Sequence, residues 1–398
     1  MTNADSYIKE RFSLLRSYCE KEHYKGWDPY DGLNSKVFNA IPLLPKWAFA
    51  RLCVIQGFKR SPINLRPLLM VEKDYNAKGI GLFLQGYCNL YRLGWCEKED
   101  VTHLADLLVS LRSNGYHGSC WGYNFDWQRL NSFLFPKYTP TVVATSFCAT
   151  ALMDAYELTQ KREYLDVALS SADFVLKDLH RTKVDGGEMF SYSPLQGHDT
   201  IFNASLLGSR LLSFCYKYSG IESYKDAAKM SVSACCNYQR NDGAWTYGIK
   251  DTDKWIDSFH TGYNLDGLIA YEECIGDITY HDNMERGFDF YINNFFKDDG
   301  SPKYYNDSQY PIDIHCPAQL LVTLFRLHKD EKHRELAEKV LLWTLRHMQD
   351  EKGFFYYQLK KGISSKISYM RWSNAFMFYA MSFFFMTNIN NNHLETNK

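Results

Sequence analysis

Residues 242–274 read DGAWTYGIKDTDKWIDSFHTGYNLDGLIAYEEC, a glycine turn with two aromatic residues, a short polar stretch and a helix from Phe259 to Cys274 that is apolar on nearly every face. A helix apolar all round is buried all round, so it has neighbours on every side. The same order recurs along the chain. Its turns are Gly118-Ser-Cys-Trp121-Gly-Tyr123, Gly187-Glu-Met-Phe190-Ser-Tyr192, Asp242-Gly-Ala-Trp245-Thr-Tyr247, Asp299-Gly-Ser-Pro-Lys-Tyr304-Tyr305 and Gly353-Phe-Phe-Tyr356-Tyr357.

A buried-type helix follows each turn, at Pro140–Leu158, Asn203–Tyr218, Phe259–Cys274, Asp313–His328 and Tyr369–Phe385. Helices with one polar face lie between them, at Glu163–His180, Ser223–Gln239, Asp282–Phe296 and Lys332–Gln349, and an earlier pair, Ala77–Leu93 and Lys98–Ser113, extends the series. The inner helices start at steps of 63, 63, 56, 54 and 56 residues. A fixed period marks a repeat architecture, and six inner helices are the number that closes a ring. The expectation is an all-α fold, an (α/α)6 toroid over residues 77–387. The segment 1–76 then supplies the sixth outer helix, from Tyr7–Lys21 or Trp47–Gly57, and 388–398 forms a mobile tail. No useful run of strand alternation appears.

The 398 residues are 45% hydrophobic and 23% charged, as in ordinary globular proteins. A net charge of -1 supplies no bulk attraction to nucleic acid or to an anionic membrane. The longest apolar run, Ala375–Met386, is too short to span a bilayer. Eleven scattered cysteines without a C-x-x-C spacing, and an amino end without an apolar signal core, point to the cytoplasm. Aromatic residues make up 16% of the chain, which fits either a ring-lined wet cleft or bulky filling between helices. The sequence is silent on oligomeric state.

With inner helices in a ring, the turns before them gather at one mouth. The densest is Trp255-Ile-Asp257-Ser-Phe-His260-Thr-Gly-Tyr263-Asn264. Asp257 and His260 are candidates for acid/base work, and helix capping is the alternative role for Asp257. Asp313, with His315 two residues on, repeats the idea, and Asp126 lies between Phe125 and Trp127 in a long loop. Asp257, His260, Asp126 and Asp313 are therefore the candidate catalytic groups. Arg371, beside Trp372, offers a planar fork for a carboxylate or phosphate, with a structural ion pair as the alternative. Candidate sugar-binding groups are Trp121, Tyr123, Trp127, Tyr192, Trp245, Tyr247, Trp255, Tyr263, Asn264, Tyr305, His315, Tyr357, Arg371 and Trp372. Rings cover the apolar face of a pyranose, while polar tips meet its hydroxyls.

Six hairpins with Asp-Gly-x-Trp-x-Tyr turns resemble the six-hairpin glycosidase superfamily of glycoside hydrolases, polysaccharide-lyase toroids and sugar epimerases. Gly122–Gln128, Trp255–Asn264, Pro311–His315 and Tyr369–Trp372 are similar to strings in proteins encoded with bacterial surface-polysaccharide genes. The resemblance implies a saccharide or nucleotide-linked sugar as ligand. Nucleotide, zincin and hydrolase-elbow motifs are missing, so cofactor-free chemistry without a metal is expected. Hydrolase, lyase and epimerase remain open, with a non-catalytic saccharide binder as the alternative. Convergence of Asp126, Asp257, His260 and Asp313 favours an enzyme, and their dispersal into caps and ion pairs favours a binder.

Overall fold

The computed structural model describes residues 3–128 and 134–395, with side chains as far as Thr387. The expected tail, 388–398, falls on residues whose side chains, and at 396–398 whose backbone, lie outside that description.

In chain order the elements are α1 (Asn3–Lys21), α2 (Lys36–Ala40), α3 (Ala48–Arg60), α4 (Ala77–Arg92), α5 (Lys98–Ser110), β1 (Trp127–Gln128), β2 (Leu134–Phe135), α6 (Val142–Thr159), α7 (Arg162–Asp173), β3 (Arg181–Val184), β4 (Gly187–Phe190), α8 (Phe202–Ser219), α9 (Glu222–Asn237), α10 (Ser258–Ile275), α11 (His281–Phe295), β5 (Ile312–Asp313), α12 (His315–Arg326), α13 (Arg334–Met348), β6 (Tyr356–Leu359), β7 (Ser365–Ser368) and α14 (Phe376–Glu395). A wider π-helical turn, Met370–Ala375, leads into α14. The even-numbered helices from α4 to α14 form an inner ring in which each touches the next and α14 returns to α4. This is an (α/α)6 toroid.

Three of the inner helices start where a short polar side chain satisfies a first-turn backbone N–H group. Asn76 Oδ1 caps α4, Thr141 Oγ1 caps α6 and Asp257 Oδ1 caps α10. Beyond the caps the helices are buried without interruption, α4 from Ala77 to Leu90 and α8 from Phe202 to Ser213.

The recurrent glycine has a common cause. A Cβ at Gly118, Gly187, Gly243, Gly300 or Gly353 would fall 2.0–2.8 Å from a main-chain carbonyl oxygen of the next outer helix, at Ser170, Met230, Arg286, Lys339 and Leu14 respectively. The fifth contact is on α1, which therefore completes the outer ring and also packs on α13 and α14. Gly353 adds a φ of +99°, which L side chains rarely adopt. Gly353→Ala is expected to destabilise the protein by about 3 kcal/mol, measured as a lower midpoint in urea.

Helix α3, the other candidate for the closing position, lies over the mouth. Leu33, Phe38, Ala50 and Ile55 give this cap a small core of its own. Arg66 moors it: its guanidinium donates to Asp31 (2.6 Å), to the Asp28 carbonyl (2.7 Å) and to the Tyr369 hydroxyl (3.0 Å). The strands are short hairpin pieces in the turns, too brief to show as alternation in sequence.

Candidate active site

The inner helices present their first turns to one cavity of about 400 Å³. The second residues of five inner segments line it: Lys78, Val143, Asn203, Phe259 and Arg371. His315, the first residue of α12, takes the sixth place. The deep part holds Lys78, Phe259, Tyr263, His315 and Arg371, all at most 4% exposed. Nearer the opening stand Trp127, Tyr247, Trp255, Tyr304 and Tyr305, and the cap covers part of it with Tyr30, Ile55, Gln56 and Lys59.

Of the candidate groups, Tyr123, Trp127, Tyr192, Tyr247, Trp255, His260, Tyr263, Tyr305, His315, Arg371 and Trp372 line this cavity. Tyr247 and Trp255 stack at 4.5 Å with 16° between planes, a flat surface of the kind a sugar ring covers. Trp127 is held against Phe135 across the β1–β2 hairpin, at 4.3 Å and 14°. That hairpin is tied to the cap by Arg51, which donates to Gln128 at 2.7 Å.

The remaining candidates sit elsewhere. Trp121 and Trp245 are core: their indole N–H groups donate to the Leu108 and Cys235 carbonyls, each at 2.9 Å, and so pin the turn to the preceding outer helix. Tyr357 is buried beneath Trp372 and against Tyr369. Asn264 is buried behind the cavity wall. Asp126 accepts the Lys137 N–H at 2.6 Å and closes the base of the hairpin.

Asp313 is fully buried. It accepts from Gln358 (2.6 Å), Trp372 Nε1 (2.9 Å) and the His315 N–H (3.0 Å), and burial pushes its carboxyl up to about 6 against those bonds. It sets the positions of Trp372 and His315 without facing the cavity. Asp257 also lies behind the lining. It accepts the His260 N–H (3.0 Å), Trp255 Nε1 (3.1 Å) and His260 Nδ1 (2.7 Å), so it caps α10 and orients the imidazole together. The four candidate catalytic groups thus do not converge: His260 faces the cavity, Asp257 supports it, and Asp126 and Asp313 are engaged elsewhere.

Two groups change the chemistry. His315 sits among Phe259, Trp372 and Phe376, with ring centroids 4.9, 4.3 and 3.8 Å away. Both its nitrogens lack a hydrogen-bond partner among the described residues, Asp313 being 3.9 Å from Nδ1, too far for one. Burial, helped by the nearby positive charge of Arg371, drives its pKa well below the usual histidine value, so it is a neutral imidazole. Lys78 was absent from the sequence-based candidates. Tyr304, Lys59, His198 and Asn203 were also missed.

Arg371 donates to Asp28 Oδ2 at 2.6 Å, and both are buried. Burial opposes the charge, but Asp28 outweighs it and keeps the guanidinium protonated. Removing one partner of such a pair leaves a buried charge uncompensated. Asp28→Asn is expected to cost about 3 kcal/mol, read as a fall in thermal midpoint that Asp74→Asn on the surface does not reproduce.

Among the described residues no Asp or Glu lines the cavity, and residues 129–133, Arg-Leu-Asn-Ser-Phe, contain none. Nor is any group of three His, Cys, Asp or Glu side chains among the described residues arranged to hold a metal. No described helix is long and apolar enough to cross a membrane.

Residues 236–397 match the profile of Glycosyl Hydrolase Family 88. No curated protein matches the chain by sequence. Among solved structures, an unsaturated glucuronyl hydrolase specific for heparin superposes with a TM-score of 0.61 at 15% identity, over 97% of this chain and 98% of that one. The cellobiose 2-epimerase from Bacillus thermoamylovorans gives 0.59 at 13% identity, over 79% and 90%. A GH76 α-mannanase from Bacteroides thetaiotaomicron gives 0.58 at 15% identity, over 79% and 88%. At these identities the likeness is one of fold: the chain has the (α/α)6 toroid that these structures share.

Proposed function

We propose that the protein is a cofactor-independent sugar epimerase or isomerase that moves a proton at the carbon next to the carbonyl of a reducing sugar or oligosaccharide. The observation that carries this reading is a cavity lined by imidazoles, those of His260 and His315 and that of His198 besides, and among the described residues by no carboxylate. Hydrolysis by paired carboxylates needs both to face the scissile bond. Here the carboxylates that bond to lining residues, Asp28, Asp257 and Asp313, are spent on N–H groups behind the wall.

His315 is neutral and no described residue occupies its ring nitrogens, and Asp257 holds His260 by Nδ1 so that Nε2 is the nitrogen left for substrate. One imidazole takes the proton from carbon and the other returns one to the opposite face. The intermediate enediolate carries negative charge on oxygen, and Arg371 supplies fixed positive charge to meet it. Stacked Tyr247 and Trp255 suit the next sugar ring outward. The epimerase among the structures of like fold supports this reading. A role in surface-polysaccharide synthesis, in the cytoplasm, belongs to the same proposal; the sequence resemblance and the scattered cysteines support it.

A saccharide-binding role without chemistry is the second reading, favoured by the engagement of Asp126, Asp257 and Asp313. Incubation with neutral and acidic reducing oligosaccharides in deuterated water separates the two. The expected result is deuterium at the carbon next to the carbonyl, without cleavage. Cleavage or a new double bond would replace the proposal with a hydrolase or a lyase, and binding with none of the three would leave the binder.

A further inference from the structure

Lys78 stands at the second position of α4, at the deep end of the cavity, 3% exposed. Among the described residues no carboxylate pairs with it. Its Nζ lies 3.3 Å from the Tyr263 hydroxyl and 4.3–5.1 Å from the ring centroids of Phe147, Phe376 and Tyr263. Buried lysines are normally paired, and a lysine whose amine faces rings, a phenol and a ligand cavity is unusual.

We propose that Lys78 is a nucleophilic amine that captures the carbonyl carbon of an open-chain sugar bound against Tyr263. Burial, reinforced by the positive charges of Arg371 and Arg210 and opposed by Asp28 and Cys148, lowers its pKa well below the usual lysine value. The rings favour the cation, but three such contacts recover less than full burial without an anion costs. The resting amine therefore keeps its lone pair. Burial also holds the Tyr263 hydroxyl well above the usual tyrosine value, so it rests protonated and gives that proton up only against the positive charge that develops on Nζ, 3.3 Å away, as the imine forms.

The inference rests on the reducing-sugar reading, and its steps balance without a co-reactant. Nζ forms a bond to the carbonyl carbon as the C=O π bond breaks. The oxygen takes up the proton that the nitrogen loses, giving a neutral carbinolamine. Tyr263 protonates that hydroxyl, water leaves, and the C=N bond forms. The protonated imine acidifies the neighbouring C–H, from which a histidine takes the proton, and an enamine forms in place of the enediolate that the free carbonyl would give. Reprotonation on the other face and addition of water reverse the sequence, returning the amine, the phenol proton and the isomerised sugar.

The test uses the full chain with mannose, N-acetylmannosamine, glucuronate and cellobiose, each with sodium cyanoborohydride, followed by peptide mass mapping. The expected result is a reduced sugar adduct on Lys78 with at least one of them, formed at least tenfold faster than on exposed Lys250. Lys78→Arg, which supplies a cation but cannot form the imine, is expected to lose at least 100-fold of the deuterium exchange. Exchange without an adduct, with Lys78→Arg fully active, would overturn the inference and leave the epimerase reading intact. An adduct without exchange would support the nucleophilic amine and remove the epimerase. Neither adduct nor exchange would remove both. Reductive methylation by formaldehyde at pH 6.5 reads the amine without any sugar, and Lys78 slower than Lys250 there would also overturn the inference.

Discussion

His315→Gln is expected to lower carbon-bound proton exchange by about 10²–10⁴-fold, the usual contribution of a positioned general base or acid, while saccharide affinity changes little. Glutamine fills much of the same space among Phe259, Trp372 and Phe376 but accepts no proton. A fall in kcat with KM nearly constant is the signature of a group that acts in the transition state alone. Because burial keeps the folded imidazole neutral well below the ordinary value of about 6.5, the acid limb of the wild-type rate profile lies below that pH. A rise in KM with unchanged kcat would make His315 part of the binding wall and leave the chemistry to other groups.

The same substitution changes acid stability. Below about pH 6.5 the unfolded His315 binds a proton that the folded one does not, so its burial costs stability as pH falls. Asp313 acts in the opposite sense: its folded carboxyl, raised from 3.8 to about 6, stabilises fully below 3.8, and that contribution is lost as pH rises through about 6. His315→Gln is therefore expected to flatten the loss of stability below pH 6.5. The raised carboxyls of Asp313 and Asp31, both at about 6, then stand out together as a decline between about pH 4 and 6.

The repeat was legible because it is dictated by geometry that every hairpin shares. A glycine is required wherever a turn touches the carbonyl of the next outer helix, as at Gly243 over Arg286 and Gly353 over Leu14. Trp121 and Trp245 belong to that same shared scaffold, which is why their resemblance to sugar platforms misled. The turn tyrosines Tyr123, Tyr192 and Tyr247 do reach the cavity, while the indoles that join them, Trp127 and Trp255, lie further along, where the hairpins diverge. Aspartates were over-read for a related reason. A carboxylate before an inner helix satisfies N–H groups whether or not chemistry follows, and Asp313 and Asp257 do that from behind the wall.

Lys78 escaped because Asn-Ala-Lys-Gly at a helix start resembles an exposed first turn. Aligning the hairpins on their inner helices places it with Val143, Asn203, Phe259 and Arg371, and that shared second position was the available signal. The cap has no such signal. Tyr30, Ile55, Gln56 and Lys59 reach the cavity from a segment outside the repeat, so no period announces them.

Lys78→Met is expected to stabilise the protein by about 2 kcal/mol at pH 7, in the range seen when buried ionic groups are replaced by apolar ones of similar volume. For a chain of this length that is a rise of about 3 °C in thermal midpoint. Methionine is unbranched and adaptable, and sulfur sits well beside the rings of Phe147 and Phe376. The pH dependence identifies the cause. Up to about 10.4 the unfolded lysine holds a proton that the buried amine lacks, so wild-type stability rises with pH while that of the variant does not gain this term. The gap between them closes as pH approaches 10.4. A gap that stays constant from pH 7 to 10 would mean that Lys78 is buried with its charge, held by the three rings. An amine kept against this cost in a cavity where an apolar side chain would fit is where function and stability pull apart.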